Sequence, residues 1–153
     1  MGHRITLRVN GERWDLDLDP AETLLEVLRG RVGAKSPKVG CERGDCGSCT
    51  ILLNGQTVRS CLVLGVEADG TEITTLEGIG AEGLAPVQRV LLEHNSFQCG
   101  FCAPGVMLSA VELLAEHPHP TRYQVQEAIA GNLCRCTGYE PIIQAIVAAG
   151  ELP

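Results

Sequence analysis

Cysteine carries the chemistry that this sequence offers. Eight cysteines stand in two groups of four. Cys41, Cys46 and Cys49 lie in the stretch Gly40-Cys41-Glu42-Arg43-Gly44-Asp45-Cys46-Gly47-Ser48-Cys49-Thr50, and Cys61 follows after a hairpin signal. The spacing C-x4-C-x2-C…C is that of plant-type [2Fe–2S] sites. Three thiolates on one loop must converge on two irons, so the loop has to wrap closely and turn its N–H groups toward sulfur. Gly40, Gly44 and Gly47 permit that approach. The fourth ligand, Cys61, is expected from a neighbouring strand. Four cysteines can also hold zinc, which favours C-x2-4-C pairs over three cysteines in one glycine-rich loop. Disulfides are the third reading. The spacing favours iron–sulfur here.

The second group is less decided. Cys99 and Cys102 form a C-x2-C within residues 98–105, and Cys134 and Cys136 form a C-x-C within residues 131–139. Each pair precedes an expected helix, one opening at Pro104 and one at Pro141. Helix N-termini offer free N–H groups and partial positive charge, which suits an anionic cluster. Spacing alone leaves iron–sulfur and zinc both open at this site.

The 153 residues suffice for one ordinary domain or two very small ones. Apolar residues make up 44% and aromatics only 3%, so the core rests on Leu, Val, Ile and Ala. Thin cores of this kind are often stapled by metals or disulfides. A net charge of −7 argues against nucleic acid, whose phosphates need clustered Lys and Arg. No apolar run reaches the length of a membrane span. The start, Met1-Gly2-His3-Arg4-Ile5-Thr6, has no secretory pattern. It fits a loose N-myristoylation pattern, but Ile5, Leu7 and Val9 alternate as a strand would. A cytoplasmic location is therefore expected, and there cysteines serve as metal ligands more readily than as disulfides.

The elements that position these cysteines fall into two halves. Ile5, Leu7 and Val9 form a first strand, Asn10-Gly11 a hairpin turn, and Trp14, Leu16 and Leu18 the return strand. Residues 23–31 read as a helix with Leu24, Leu25, Val27 and Leu28 on its apolar stripe. A second hairpin runs through residues 50–53, Asn54-Gly55 and residues 57–63, and Ile73 marks one more short strand. Residues 77–84, with three glycines, read as a linker. Beyond it the pattern is helical: residues 85–93, 104–116, a segment opened by a Thr121/Gln124 capping box and closed by Gly131, and residues 141–149. The expectation is a mixed β and α domain followed by a helical one.

Taken together, residues 41–49, 98–102 and 131–139 resemble the signatures of the small iron–sulfur subunit of the xanthine oxidase family of molybdenum hydroxylases. The resemblance spans nearly the whole chain. It implies an α+β chain: a plant-ferredoxin-like β-grasp domain (1–78) followed by a four-helix [2Fe–2S] domain (79–153). It implies two [2Fe–2S] clusters, one on Cys41, Cys46, Cys49 and Cys61 and one on Cys99, Cys102, Cys134 and Cys136. By motif position, Cys136 would also touch a molybdopterin held by the large subunit, expected as the cytosine dinucleotide, and Gln98 would hydrogen-bond it. FAD on a partner, expected as a medium subunit, would take the electrons. The catalytic base and molybdenum site would belong to the large subunit. Two departures stand out: Ala103, where many relatives have Thr, and Ser36-Pro37, where relatives often have Gly-Thr. A free-standing ferredoxin-type shuttle and a zinc scaffold are the rival readings.

Other polar residues read more plainly. His94, His117 and His119 show no spacing that ties them to either cysteine group. Glu42 and Asp45 beside the first group read as solvated loop residues or as tuners of potential. Arg135 can offset cluster charge or lie on the surface, and Tyr139 reads as packing.

Overall fold

The computed structural model describes residues 2–152, so Met1 and Pro153, the outer ends of the two expected domains, lie outside it. The alternation at the start produces strand β1 (His3–Val9), which buries Ile5, Leu7 and Val9. Asn10 and Gly11 take left-handed conformations, with φ of 52° and 84°. A tight two-residue hairpin needs such angles at both central positions. The return strand β2 (Glu12–Leu18) pairs Leu16 with Ile5 and Trp14 with Leu7. The second hairpin uses the same turn chemistry at Asn54-Gly55. It joins β3 (Thr50–Leu53) to β4 (Gln56–Arg59). Strand β5 (Glu72–Thr74) inserts between the hairpins, parallel to β1 and antiparallel to β3. Among the described residues one sheet forms, in the order β2-β1-β5-β3-β4.

Three expected elements differ in form. The helix over residues 23–31 is a short α-helix, α1 (Leu24–Val27), that widens into a π turn over Leu28–Val32. Thr23 and Glu26 close a capping box at its start, while Gly30, a poor helix former, sits in the widened turn. The strand expected over residues 57–63 stops at Arg59. The chain then turns through a 3-10 segment, Ser60–Leu62, fixed by the Ser60 hydroxyl donating to the Cys49 carbonyl at 2.7 Å. Cys61 therefore comes from a turn past the strand. The linker begins as a helix, α2 (Leu76–Ile79), because Leu76 packs on the second core.

Beyond it come α3 (Pro86–Glu93), α4 (Ala103–Glu116), α5 (Arg122–Ile129) and α6 (Glu140–Ala149). The Thr121/Gln124 capping box forms as expected. Gly131 follows the end of α5 but is not among the positive-φ glycines. Its missing side chain serves another purpose: a Cβ there would lie 2.1 Å from an Arg59 guanidinium nitrogen.

Two apolar clusters result. One gathers Ile5, Leu7, Val9, Leu18, Leu24, Val27, Leu28, Ile51 and Ile73 between the sheet and α1. The other gathers residues of α3 to α6, including Val106, Ala110, Val125, Ile142 and Ile146. Aliphatic side chains fill both, as the composition implies. Among the described residues no helix is long and apolar enough to cross a membrane.

Candidate metal centres and the junction between them

Cys41, Cys46 and Cys49 sit on the loop between the π turn and β3, and Cys61 sits on the 3-10 turn after β4. Cys41 and Cys46 are partly exposed, whereas Cys49 and Cys61 are buried. The Cys46 amide points at the Cys41 sulfur, 3.4 Å away. In the thiol form the backbone N–H groups of Arg43 and then Cys46 pull Cys41 down to about 6. That is the amide-lined loop that the glycine-rich motif predicts. Cys61 behaves oppositely: burial, then the facing Cys49, push it up to about 11. The four sulfurs thus divide into Cys41 with Cys46, and Cys49 with Cys61.

The second group divides the same way. Cys136 and Cys99 sulfurs lie 3.6 Å apart, and Cys134 faces Cys102. Cys102 caps the N-terminus of α4 and is buried, and burial followed by Cys134 drives its thiol up to about 12. Cys99 and Cys136 are exposed. Two irons that each take two thiolates match this division in pairs. A single zinc ion needs all four sulfurs in one tetrahedral cage. The donor set and its pairing fit a two-iron cluster at both sites.

The expected pterin-contact residues come together. The Gln98 side-chain amide donates to the Cys136 carbonyl at 3.1 Å, and both residues are exposed. Phe101 and Leu133 stand exposed beside them at 46% and 54%. Arg135 is exposed, and His94 and His117 lie on the surface. The His119 ring meets the Gly150 carbonyl.

Two residues of the 131–139 stretch, Thr137 and Tyr139, carry roles that the cysteine spacing does not signal. Tyr139, which reads as packing in the sequence, adopts φ 71° and accepts the Cys134 N–H on its hydroxyl at 2.9 Å. The Thr137 hydroxyl contacts the Cys134 sulfur at 3.1 Å and receives the Tyr139 N–H at 3.1 Å. The C-x-C loop is thus folded around its own sulfur by Thr137 and Tyr139, which follow it.

A dense junction joins the two groups. The Leu133 N–H, next to Cys134, donates to the Cys46 carbonyl at 2.9 Å. Asn132 is buried, donating to Ser109 on α4 at 2.8 Å and lying 3.2 Å from the Thr50 hydroxyl. Arg59 donates to Thr50 at 2.9 Å and to the Gly131 carbonyl at 2.7 Å. Glu112 of α4 grips the Thr57 amide and hydroxyl at 3.0 and 2.6 Å. A Cβ on Gly47 would lie 2.3 Å from the Gly131 carbonyl, and one on Gly105 would lie 2.4 Å from the Gly47 carbonyl. Backbone therefore meets backbone where the cysteine loops approach. Lys38 adds a second tie. Its ammonium donates to the Phe101 carbonyl at 3.1 Å and lies 5.1 Å from the Phe101 ring centroid.

Comparison with known proteins decides the family. Residues 7–76 match the 2Fe-2S iron-sulfur cluster binding domain, and residues 75–147 match the [2Fe-2S] binding domain. The chain belongs to the small iron–sulfur subunits of the xanthine oxidase family of molybdenum hydroxylases. It is 46% identical over 145 residues to the nicotine 6-hydroxylase small subunit of Paenarthrobacter nicotinovorans, covering 95% of this chain and 88% of that one. It is 43% identical to the nicotinate dehydrogenase small FeS subunit of Eubacterium barkeri, covering 96% and 94% of the two chains. In structure it superposes on a chain of quinoline 2-oxidoreductase from Pseudomonas putida 86 with a TM-score of 0.94 at 46% identity, covering 98% and 94%. Such relatives are parts of oxidoreductase complexes with catalysis on another subunit. In this family setting, the sheet half is the ferredoxin-like part and the helical half its companion.

Proposed function

We propose that this chain is a two-cluster electron relay within a molybdenum hydroxylase complex. The observation that carries this reading is the junction. Two groups of four cysteines are linked through one backbone hydrogen bond, Leu133 N–H to the Cys46 carbonyl at 2.9 Å. One end of the pair exposes Cys99 and Cys136, and the other leaves Cys41 and Cys46 partly open. Electrons enter at the first end and leave at the second.

The clusters supply the redox step when bound, each cycling by one electron. This chain supplies position and electrostatics. Cys99, Cys102, Cys134 and Cys136 hold the entry cluster, and Cys41, Cys46, Cys49 and Cys61 the exit cluster. Gln98, tied to the Cys136 carbonyl, and Cys136 itself face a molybdopterin, read as the cytosine dinucleotide, held by the large subunit. The exposed Phe101 and Leu133 would be covered by that subunit. Exit is to FAD on a medium subunit. The chain divides at residues 78 and 79 into a β-grasp domain and a helical domain, in which α3 to α6 form the four-helix unit.

Iron and acid-labile sulfide per chain, with low-temperature EPR after reduction, test the reading. Four of each and two distinct rhombic signals are expected. Two irons, one signal and a mole of zinc would sink the relay.

A further inference from the structure

Resting on the relay reading, we propose that Lys38 sets the reduction potential of the Cys99/Cys102/Cys134/Cys136 cluster from the loop that leads to the other cluster. The backbone fixes where Lys38 can reach. Its N–H donates to the Ser48 carbonyl at 2.9 Å, inside the first cysteine loop. The preceding stretch is held from the other side by Arg29, which donates to the carbonyls of Lys35 and Pro37 at 3.1 and 2.8 Å. From this anchored base the side chain crosses to the second group. It donates to the Phe101 carbonyl at 3.1 Å and stacks over the Phe101 ring. Phe101 lies between Cys99 and Cys102, so the ammonium rests on the loop that carries two of the four thiolates.

No carboxylate of the described residues pairs directly with this charge, and the nearby Glu77 carboxylate is opposed by the Arg29 guanidinium. Among the described residues the ion pairs are Arg13–Asp15, Arg31–Glu22, Arg43–Asp45 and Arg122–Glu140, and none includes Lys38. Its protein partners are a carbonyl and an aromatic face. Lys38 is only half exposed, so solvent screens it less than a surface lysine. A four-thiolate [2Fe–2S] cluster is anionic and gains one more negative charge on reduction. A fixed cation beside it stabilises the reduced form more than the oxidised form, and so raises the potential. The ammonium is held against the loop of Cys99 and Cys102 through the Phe101 carbonyl, whereas toward the Cys41–Cys49 loop Lys38 presents its backbone N–H.

The test is an EPR-monitored redox titration of the complete complex. The entry-cluster signal is assigned as the one altered by Cys134→Ser. Lys38→Met keeps the apolar stem and removes the charge. It should lower the midpoint of the entry cluster by about 59 mV, a tenfold loss in the equilibrium constant of its one-electron reduction. The exit cluster should move by less than half as much. Lys38→Arg should keep the entry midpoint within a third of that shift. Unmoved midpoints in a Lys38→Met complex that keeps both signals would overturn this inference alone. Equal shifts in Lys38→Met and Lys38→Arg, or loss of iron in both, would also overturn it, because Lys38 would then act as a clamp and not as a charge. A wild-type complex without two signals would overturn the relay reading and this inference with it.

Discussion

Asn132→Ala is the sharpest probe of the junction. Asn132 is 1% exposed, and its amide donates to Ser109, itself 4% exposed, at 2.8 Å. Its carbonyl oxygen lies 3.2 Å from the Thr50 hydroxyl and presses between Gly47 and Gly105. Truncation leaves buried polar partners short of a hydrogen bond, at about 1–3 kcal/mol. A small cavity adds to this. The sum is about 2–4 kcal/mol, a large share of a domain's usual ~5–15 kcal/mol. With a guanidinium slope of about 4 kcal/mol/M, the midpoint should fall by roughly 0.5–1 M. The assay is guanidinium denaturation of the cluster-loaded complex, followed by loss of cluster absorbance. Ser109→Ala added to Asn132→Ala should cost less than it does alone, with a coupling of about 1 kcal/mol. A midpoint within experimental scatter of wild type, or full additivity, would refute the reasoning. Asn132 would then be filler and not a strut.

Other predictions follow from single residues. Glu77 accepts the N–H groups of Lys35 and Ser36 at 2.8 Å each, the Ser36 hydroxyl, and the Thr75 hydroxyl at 2.6 Å. Burial alone would raise its carboxyl, but the Ser36 and Thr75 hydroxyls and the Ser36 amide outweigh it and bring it to about 2. Because the folded value lies below the usual 4.5, this contribution is complete above about pH 4.5 and is lost as pH falls toward 2. Glu77→Gln should flatten the acid limb of a midpoint-against-pH curve in that window, and an unchanged limb would count against the carboxylate. Gly47→Ala places a Cβ 2.3 Å from the Gly131 carbonyl at a φ of +74 degrees. The left-handed conformation alone costs a residue with a Cβ about 1–2 kcal/mol. With the clash added, the substitution should cost about 2 kcal/mol or more and release iron on gel filtration. Thr121→Ala removes the α5 cap. It should cost about 1 kcal/mol in the same denaturation assay, with both EPR signals unchanged.

What the sequence discloses is mostly local. Hairpin turns at Asn10-Gly11 and Asn54-Gly55, the alternation of β1, the capping box at Thr121, and the helices after residue 85 all rest on neighbours a few residues apart. The Cys41–Cys49 stretch is legible because spacing along one loop is itself local, whereas the second group, split between two distant loops, stays open on spacing alone. What stays hidden is either non-local or conformationally unusual. Arg59 meets Gly131 across 72 residues, Thr57 meets Glu112 across 55, and Thr50 meets Asn132 across 82, and no periodicity reports such pairs. The Ser36 departure from the family pattern becomes intelligible only with Glu77 in place, since Ser36 gives that carboxylate both its amide and its hydroxyl. The role of Tyr139 is hidden because a left-handed tyrosine is uncommon and nothing in its neighbours demands it. The strand end at Arg59 is equally hidden, because Ser60 turns the chain by bonding to Cys49, eleven residues away.

The glycines of the cysteine motifs show where a correct residue reading has an incomplete reason. In the sequence Gly47 reads as a residue that lets the loop wrap the first cluster. Its positive φ fits that role, but its missing side chain also lets the Gly131 carbonyl approach. Gly105, in the first turn of α4, lets the Gly47 carbonyl approach in turn, and Gly131 makes room for Arg59. These three positions belong to three segments: the first cysteine loop, the helix after Cys102, and the loop before Cys134. Electron transfer weakens steeply with distance, so a two-cluster relay needs its ligand loops in backbone contact, with no side chain between them. Glycine on each segment satisfies that need, and Asn132, Arg59 and Thr50 then fill the remaining space with bonded polar atoms. In the proposed relay these glycines serve the individual loops and the path between them, so substituting one should disturb both the hold on a cluster and the coupling of the two centres, as the iron loss expected of Gly47→Ala implies.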